Sequence, residues 1–175
     1  ESYQRLSMAL LRALQILGAQ PHAEEKSPAP NPSGPGPVCF EVPSNFEITV
    51  EGKKLVGSAQ ARRKEGVLQH GSLPLVGDLT RITQALAFPD ETARAQAAER
   101  LLQRATTLEA VLHRRVSWEE AAQAFQEAFS QILGLSFQLG ALSPHEWARA
   151  KALAAEKYSD PTWLLRPLSA PAPKP

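Results

Sequence analysis

Between Phe46 and Leu75 three strand-like runs follow one another, separated by glycine-bearing turns, and this limits the possible folds most. Phe46-Glu-Ile-Thr-Val50 has the period of a half-buried strand, and Glu51-Gly52 supplies a tight turn. Residues 54–62 return as a second strand, Lys64-Glu65-Gly66 turns again, and residues 67–75 give a third. Strands joined so closely pair as an antiparallel meander, here with Ala59 opposite His70 and Gly57 opposite Ser72. A short strand at residues 38–41 is a candidate to precede them. A three-stranded meander is marginal on its own, so further sheet is expected from elsewhere.

Helical patterns flank the meander. Tyr3, Leu6, Leu10, Leu14 and Leu17 form one apolar stripe, with Gly18 placed to end the helix. Residues 19–37 hold six prolines and two glycines and are expected to form a loop without regular structure. After Gly77, Asp78 or Thr80 is set to cap a short helix through Leu86, and Asp90 a longer one towards Arg104. Ser117-Trp-Glu-Glu120 has the form of a capping box, and the helix after it should bury Ala121, Phe125, Ala128, Phe129 and Ile132 before Gly134. Residues 135–139 alternate as one more strand would. Ser143-Pro-His-Glu146 repeats the capping signature for a last helix to about Tyr158, with Trp147 expected in the core. The tail at residues 168–175 is expected to be disordered. Helices and an antiparallel meander in separate segments make an α+β arrangement.

Bulk properties exclude several functions. A net charge of +1 gives no electrostatic case for nucleic acid or an anionic membrane, and Arg62-Arg63-Lys64 is too short for a binding arm. No apolar run is long enough to span a bilayer. A single cysteine excludes an internal disulfide and a cysteine-rich zinc site, and fits a reducing, cytoplasmic setting. His70 has no partners at ligand spacing, so no metal site is expected; His22, His113 and His145 read as loop or helix-surface residues.

Three features of residues 37–73 point to chemistry. The lone Cys39 follows a proline-rich loop, where a thiol can be reached. Lys54 stands directly before Leu-Val-Gly-Ser, whose small residues let a ligand approach the backbone. His70-Gly71 interrupts an otherwise apolar strand, and Gly57, Ala59 and Gly71 are expected to clear a shallow floor for a flat ligand, an acyl chain or a packed helix.

The strings Gly52-Lys-Lys-Leu-Val-Gly-Ser-Ala-Gln60 and Leu68-Gln-His-Gly-Ser-Leu73 resemble the signature of lipoate ligases and octanoyltransferases in the lipoate–biotin protein ligase family. The prefix Cys-Phe-x-x-Pro-Ser-x-x-Glu at residues 39–47 is similar to the branch working through an acyl-cysteine, as are Leu142-Ser-Pro-His-Glu146, Lys157-Tyr158 and Trp163. The likeness runs from Glu1 to about Trp163, with its strongest motifs between Val38 and Leu73.

The resemblance implies a set of roles. Cys39 matches the nucleophile that accepts an octanoyl group from acyl carrier protein. That group then passes to a lysine of a lipoyl-domain protein of the glycine cleavage or 2-oxoacid dehydrogenase systems. Lys54 matches the family lysine, which favours the thiolate and polarises the acyl carbonyl. Gly57, Ser58, Ala59 and Gln60 match the wall facing the acyl chain, and His70 and Gly71 border the same pocket. No cofactor is implied beyond octanoate or lipoate as acyl substrate; ATP enters only for the alternative, an ATP-dependent lipoate-protein ligase. A second alternative is a non-catalytic subunit of a two-chain lipoylation enzyme. The implied fold is a mixed sheet like that of class II aminoacyl-tRNA synthetases and biotin ligases. The family's Arg-Arg-x-Thr-Gly-Gly-Gly-Ala segment has no counterpart in this sequence. Residues 1–167 are therefore expected to be the C-terminal part of one catalytic domain, completed by an upstream segment or a partner chain.

Overall fold

The computed structural model describes residues 2–24 and 47–165; the expected strand at 38–41 and the tail from 168 lie outside them. Helix α1 (Ser2–Ile16) forms on the stripe read from the sequence. Its inward face mixes small and large side chains, with Ala9, Ala13 and Leu14 fully buried. Gly18, at φ +98°, closes the helix, and the amides of Gly18 and Ala19 donate back to Gln15 and Leu14 carbonyls at 3.0 and 2.9 Å. The chain then enters strand β1 (His22–Glu24). This corrects the expectation that residues 19–37 carry no regular structure. Pro21 precedes the strand, and an edge strand is hydrogen-bonded on one side only, so local proline does not forbid it.

Strands β2 (Glu47–Val50), β3 (Lys53–Arg63) and β4 (Gly66–Ser72) follow the meander read from the alternation. The sheet is antiparallel in the order β1-β2-β3-β4, so the fourth strand comes from the proline-rich segment. Glu51 and Gly52 both take positive φ, 52° and 75°, the mirror-image turn whose twist suits a two-residue hairpin. The β3–β4 register pairs Ala59 with His70 and Gly57 with Ser72, as the turn position required. Between β2 and β3 the register slips: Ile48 faces Val56 while Thr49 faces Lys54, which leaves Leu55 as an extra residue, a β-bulge.

Helices α2 (Arg81–Ala85), α3 (Glu91–Arg104), α4 (Leu108–Leu112) and α5 (Trp118–Leu133) come next. Asp90 caps α3 by accepting the Ala93 amide at 2.7 Å. The third strand stops at Ser72 instead of Leu75 because the Pro74 and Leu75 carbonyls accept the Leu108 and Glu109 amides, at 2.8 and 2.9 Å. They satisfy donors that the start of α4 would otherwise leave open. Ser117 caps α5 through the Glu120 amide at 3.1 Å. The Glu120 carboxylate is gripped mainly by Arg114, at 2.8 and 3.2 Å, with the Ser117 amide contributing less. Arg114 in turn donates to the Leu17 carbonyl at 3.3 Å, placing a cation at the end of α1.

Helix α1 packs along α5, and Arg12 Nε donates across to Gln131 Oε1 at 3.0 Å. The core joins Leu14 and Leu17 to Ile48, Val50, Leu55 and Val56 of the sheet and to Leu108, Val116, Ala121 and Ala124. Phe125, Phe129 and Ile132 are only half-buried, against the expectation for α5, because Ala124 and Ala128 take the innermost positions. On the sheet's third-strand side, Lys54 bridges to Ala105 in parallel, and the Thr106 amide donates to its carbonyl at 3.0 Å.

The chain divides after Phe137 into two units. In the second, α6 (Pro144–Leu153) starts with both hydrogen bonds of the capping box at Ser143 and Glu146. It runs on through a π-helical turn (Ala154–Tyr158), and α7 (Pro161–Leu164) follows. Trp163 meets Tyr158 edge-on, with ring centroids 4.9 Å apart. Trp147 is exposed, not in the core as expected. The strand expected at residues 135–139 does not form; among the described residues no strand pairs with it, and Leu139 is wholly exposed.

Candidate active site

The sheet has two faces with different contents. Helices α1 and α5 cover one of them, and Tyr3 fixes the contact: its hydroxyl lies 2.8 Å from Ser58 Oγ and donates to the Ser58 carbonyl at 3.3 Å. Between these helices and the sheet lies a cleft of about 500 Å³. Leu6, Leu10, Val56, Leu73, Phe125 and Phe129 make it largely apolar, and Ser58, Gln69, His70 and Gly71 stand at its border.

The bulge at Leu55 sends Lys54 to the other face. Leu55 joins Val56 in the helix-covered core, while Lys54 lies across from Thr49 and reaches back to Glu47. Lys54 Nζ donates to Glu47 Oε1 at 2.6 Å, and the two side chains are only 8% and 13% exposed. Thr49 beside them is also buried. Strand alternation beyond Val56 then places Gly57 and Ala59 on the Lys54 face, and Ser58 and Gln60 on the helix face.

The candidate residues therefore fall into two groups. Lys54, Gly57, Ala59 and His70 share one face, His70 lying directly opposite Ala59 while its strand also borders the cleft. Ser58, Gln60 and Gly71 belong to the other, so the single floor expected of Gly57, Ala59 and Gly71 is split between faces. Gly71 pairs with Ser58, and a Cβ there would come within 3.0 Å of the Gly57 carbonyl oxygen. Its role is close strand approach. Gln60 is engaged in a polar chain, with Gln69 at 3.1 Å across the ladder and Arg62 at 3.2 Å along it. Cys39 lies outside the described residues. Among the described residues no group of three or more His, Cys, Asp or Glu is arranged to hold a metal ion.

Sequence reasoning quoted Glu47 only as the last letter of a motif. Its signal was present: a carboxylate entering a strand, a two-residue turn, and a lysine returning beside it. Tyr3 was read as part of a core stripe, and its hydroxyl carried no signal of a partner in β3.

A buried lysine–carboxylate pair on one face of the sheet and an apolar cleft on the other are the two candidate features of this α+β fold. Over residues 1–130 the sequence matches the lipoyl protein ligase A/B catalytic domain, and the chain belongs to that family. It is 34% identical over 161 residues to octanoyltransferase LipM of Oceanobacillus iheyensis, covering 91% of this chain and 58% of that protein. With octanoyltransferase LipM of Kyrpidia tusciae the identity is 36% over 171 residues, covering 95% and 61%. A bi-partite lipoate protein ligase from Thermoplasma acidophilum, studied with its E2 lipoyl domain, superposes with a TM-score of 0.70 at 25% identity, covering 97% and 60%. Lipoate-protein ligase A bound with ATP shares the fold, at a TM-score of 0.66 and 23% identity, covering 93% and 57%. The chain thus spans about three fifths of the length of the curated relatives it matches, 58% to 62% for the first three. Among the described residues no helix is long and apolar enough to cross a membrane.

Proposed function

We propose that this chain carries the acyl-transfer chemistry of an octanoyltransferase, with Cys39 as acyl carrier and Lys54 as its cationic partner. The Cys39 thiolate attacks the thioester carbonyl of octanoyl-acyl carrier protein, and the carrier's thiol leaves with a proton. The ε-amine of a lysine on a lipoyl-domain protein then attacks the enzyme thioester. An amide forms, Cys39 is expelled, and the proton shed by the amine returns to its sulfur. The Lys54 ammonium favours the thiolate before attack and the carbonyl oxygen's developing charge during it.

The observation that carries this reading is the burial of Lys54, 7% exposed, on the face it shares with Gly57 and Ala59. A lysine on a plain surface strand would leave its ammonium in water; here the bulge sets it on the face away from α1 and α5, where it is buried beside Glu47 and Thr49. The octanoyltransferase relatives, which match over more than nine tenths of this chain, support the same reading.

Incubation with octanoyl-acyl carrier protein should add one octanoyl group to Cys39, detected by intact mass and removed by hydroxylamine. Cys39→Ala should abolish both the adduct and transfer to a lipoyl domain. A second reading, ATP-dependent attachment of free lipoate, is favoured by the lipoate protein ligase at 25% identity. Lipoylation that needs ATP and survives Cys39→Ala would establish it instead. Turnover is proposed to require the glycine-rich segment of the family, in the same polypeptide or in a second one; full turnover by these 175 residues alone would sink that part.

A further inference from the structure

The reading above gives Lys54 a task and leaves Glu47 without one. Glu47 is not a surface partner. Its carboxylate is 13% exposed, sits 2.6 Å from Lys54 Nζ, and belongs to the neighbouring strand. An isolated ammonium in so dry a place would cost several kcal/mol, which a close carboxylate offsets. A lysine side chain also has a flexible four-carbon stem, and charge alone does not aim it.

The backbone of Lys54 is fixed from both sides. Its strand is held on one side by β2, where Thr49 is its partner, and on the other by the Thr106 amide at 3.0 Å. The bulge at Leu55 sets which face the side chain leaves by. Bulges commonly re-aim a side chain beside a site of chemistry. What remains is the end of the stem, and Glu47 holds it.

We propose that Glu47 is the positioning residue of Lys54, holding its ammonium aimed at the reacting thioester without itself touching the acyl group. The proposal rests on the acyl-transfer reading of Lys54. It differs from a structural salt bridge in one respect: the rate, not only the stability, depends on the charge at position 47.

The test compares Glu47→Gln, which keeps the shape and removes the charge, with Glu47→Asp, which keeps the charge. Octanoylation of Cys39 is followed in single turnovers with octanoyl-acyl carrier protein, in whatever assembly gives wild-type turnover. Glu47→Gln is expected to slow the chemical step about 100-fold, with half-saturation by the donor nearly unchanged. Glu47→Asp is expected to recover most of that loss. In parallel, reductive methylation of Lys54 is read by peptide mass; the amine should react slowly in the wild type and several-fold faster in Glu47→Gln. Wild-type rates in Glu47→Gln would overturn the proposal. So would equal losses in both variants that track a fall in melting temperature. If the wild type shows no transfer while the methylation contrast holds, the acyl-transfer reading fails and the aiming of Lys54 by Glu47 stands. Equal methylation in wild type and Glu47→Gln refutes the aiming itself.

Discussion

Strand β3 behaves as two strands placed end to end. Over its first residues, Lys54, Leu55 and Val56 are 7%, 0% and 5% exposed, with β2 on one side and Ala105 on the other. Over its second half, Ala59 and residues 61–63 are exposed, as is most of β4 opposite. Both halves pair antiparallel, the first with β2 across the bulge and the second with β4 in unbroken register. The inner half is held by buried apolar surface, and the outer half by backbone pairing with cross-strand contacts such as Gln60 to Gln69. The chemistry proposed for Lys54 thus falls in the buried half, and the hairpin beyond it is exposed to solvent.

The comparison can be broken most directly by truncating one leucine in each half. Leu55→Ala removes a fully buried side chain and should cost about 3 kcal/mol in urea unfolding. Leu68→Ala, at a residue 63% exposed, should change stability by less than about 0.5 kcal/mol. Similar losses from the two would show that the halves are energetically one strand.

A bulkier residue probes a tight point of the outer half, Gly71. Gly71→Val places a Cβ 3.0 Å from the Gly57 carbonyl and should cost about 2 kcal/mol, whereas Gly66→Ala, where a Cβ meets nothing within 4 Å, should cost less than half as much. Thermal melts of the two variants decide this. Smaller still, Tyr3→Phe removes the hydroxyl that ties α1 to Ser58 and should cost about 1 kcal/mol, with hydrogen exchange rising in β3 near Ser58 before it rises near Leu55.

The least effect is expected from pH, and it should come from helix starts. Glu120 is held below its ordinary 4.5 chiefly by hydrogen bonds from Arg114, and Glu146 chiefly by the Ser143 hydroxyl. Folding thus depresses both carboxyl groups. Their contribution is complete above 4.5 and is lost as pH falls through the lower folded values. Urea midpoints should decline slightly below that pH, and Glu120→Gln should flatten the decline without altering the Leu55–Leu68 contrast.

Much of this fold is legible in local sequence. Gly18, Asp90, Ser117 and Ser143 each mark a helix end through a hydrogen bond made within a few residues, so their neighbours announce it. The meander is legible for the same reason, because its turns fix the register. What escaped depended on distant partners. Strand β1 exists because β2 offers it an edge, and Trp147 has no core to enter among the residues around it. Residues 135–139 have a strand's alternation and, among the described residues, no strand to pair with.

The candidate site was half legible. Lys54, Gly57 and Ala59 stood out by residue type, but their grouping on one face did not. It depends on a single unpaired residue, and nothing in the alternation of Lys-Leu-Val-Gly-Ser marks Leu55 as that residue.

Leu55 therefore sets the parity of the strand. Lys54 and Gly57 stand three residues apart, so in an unbroken alternation they would point to opposite faces and the lysine would emerge among the helices. Straightening the bulge with every residue kept would move the lysine to the helix-covered face, whereas deleting Leu55 would leave it on the face of Gly57. The conformation of one residue, more than the composition around it, thus decides which face carries the lysine.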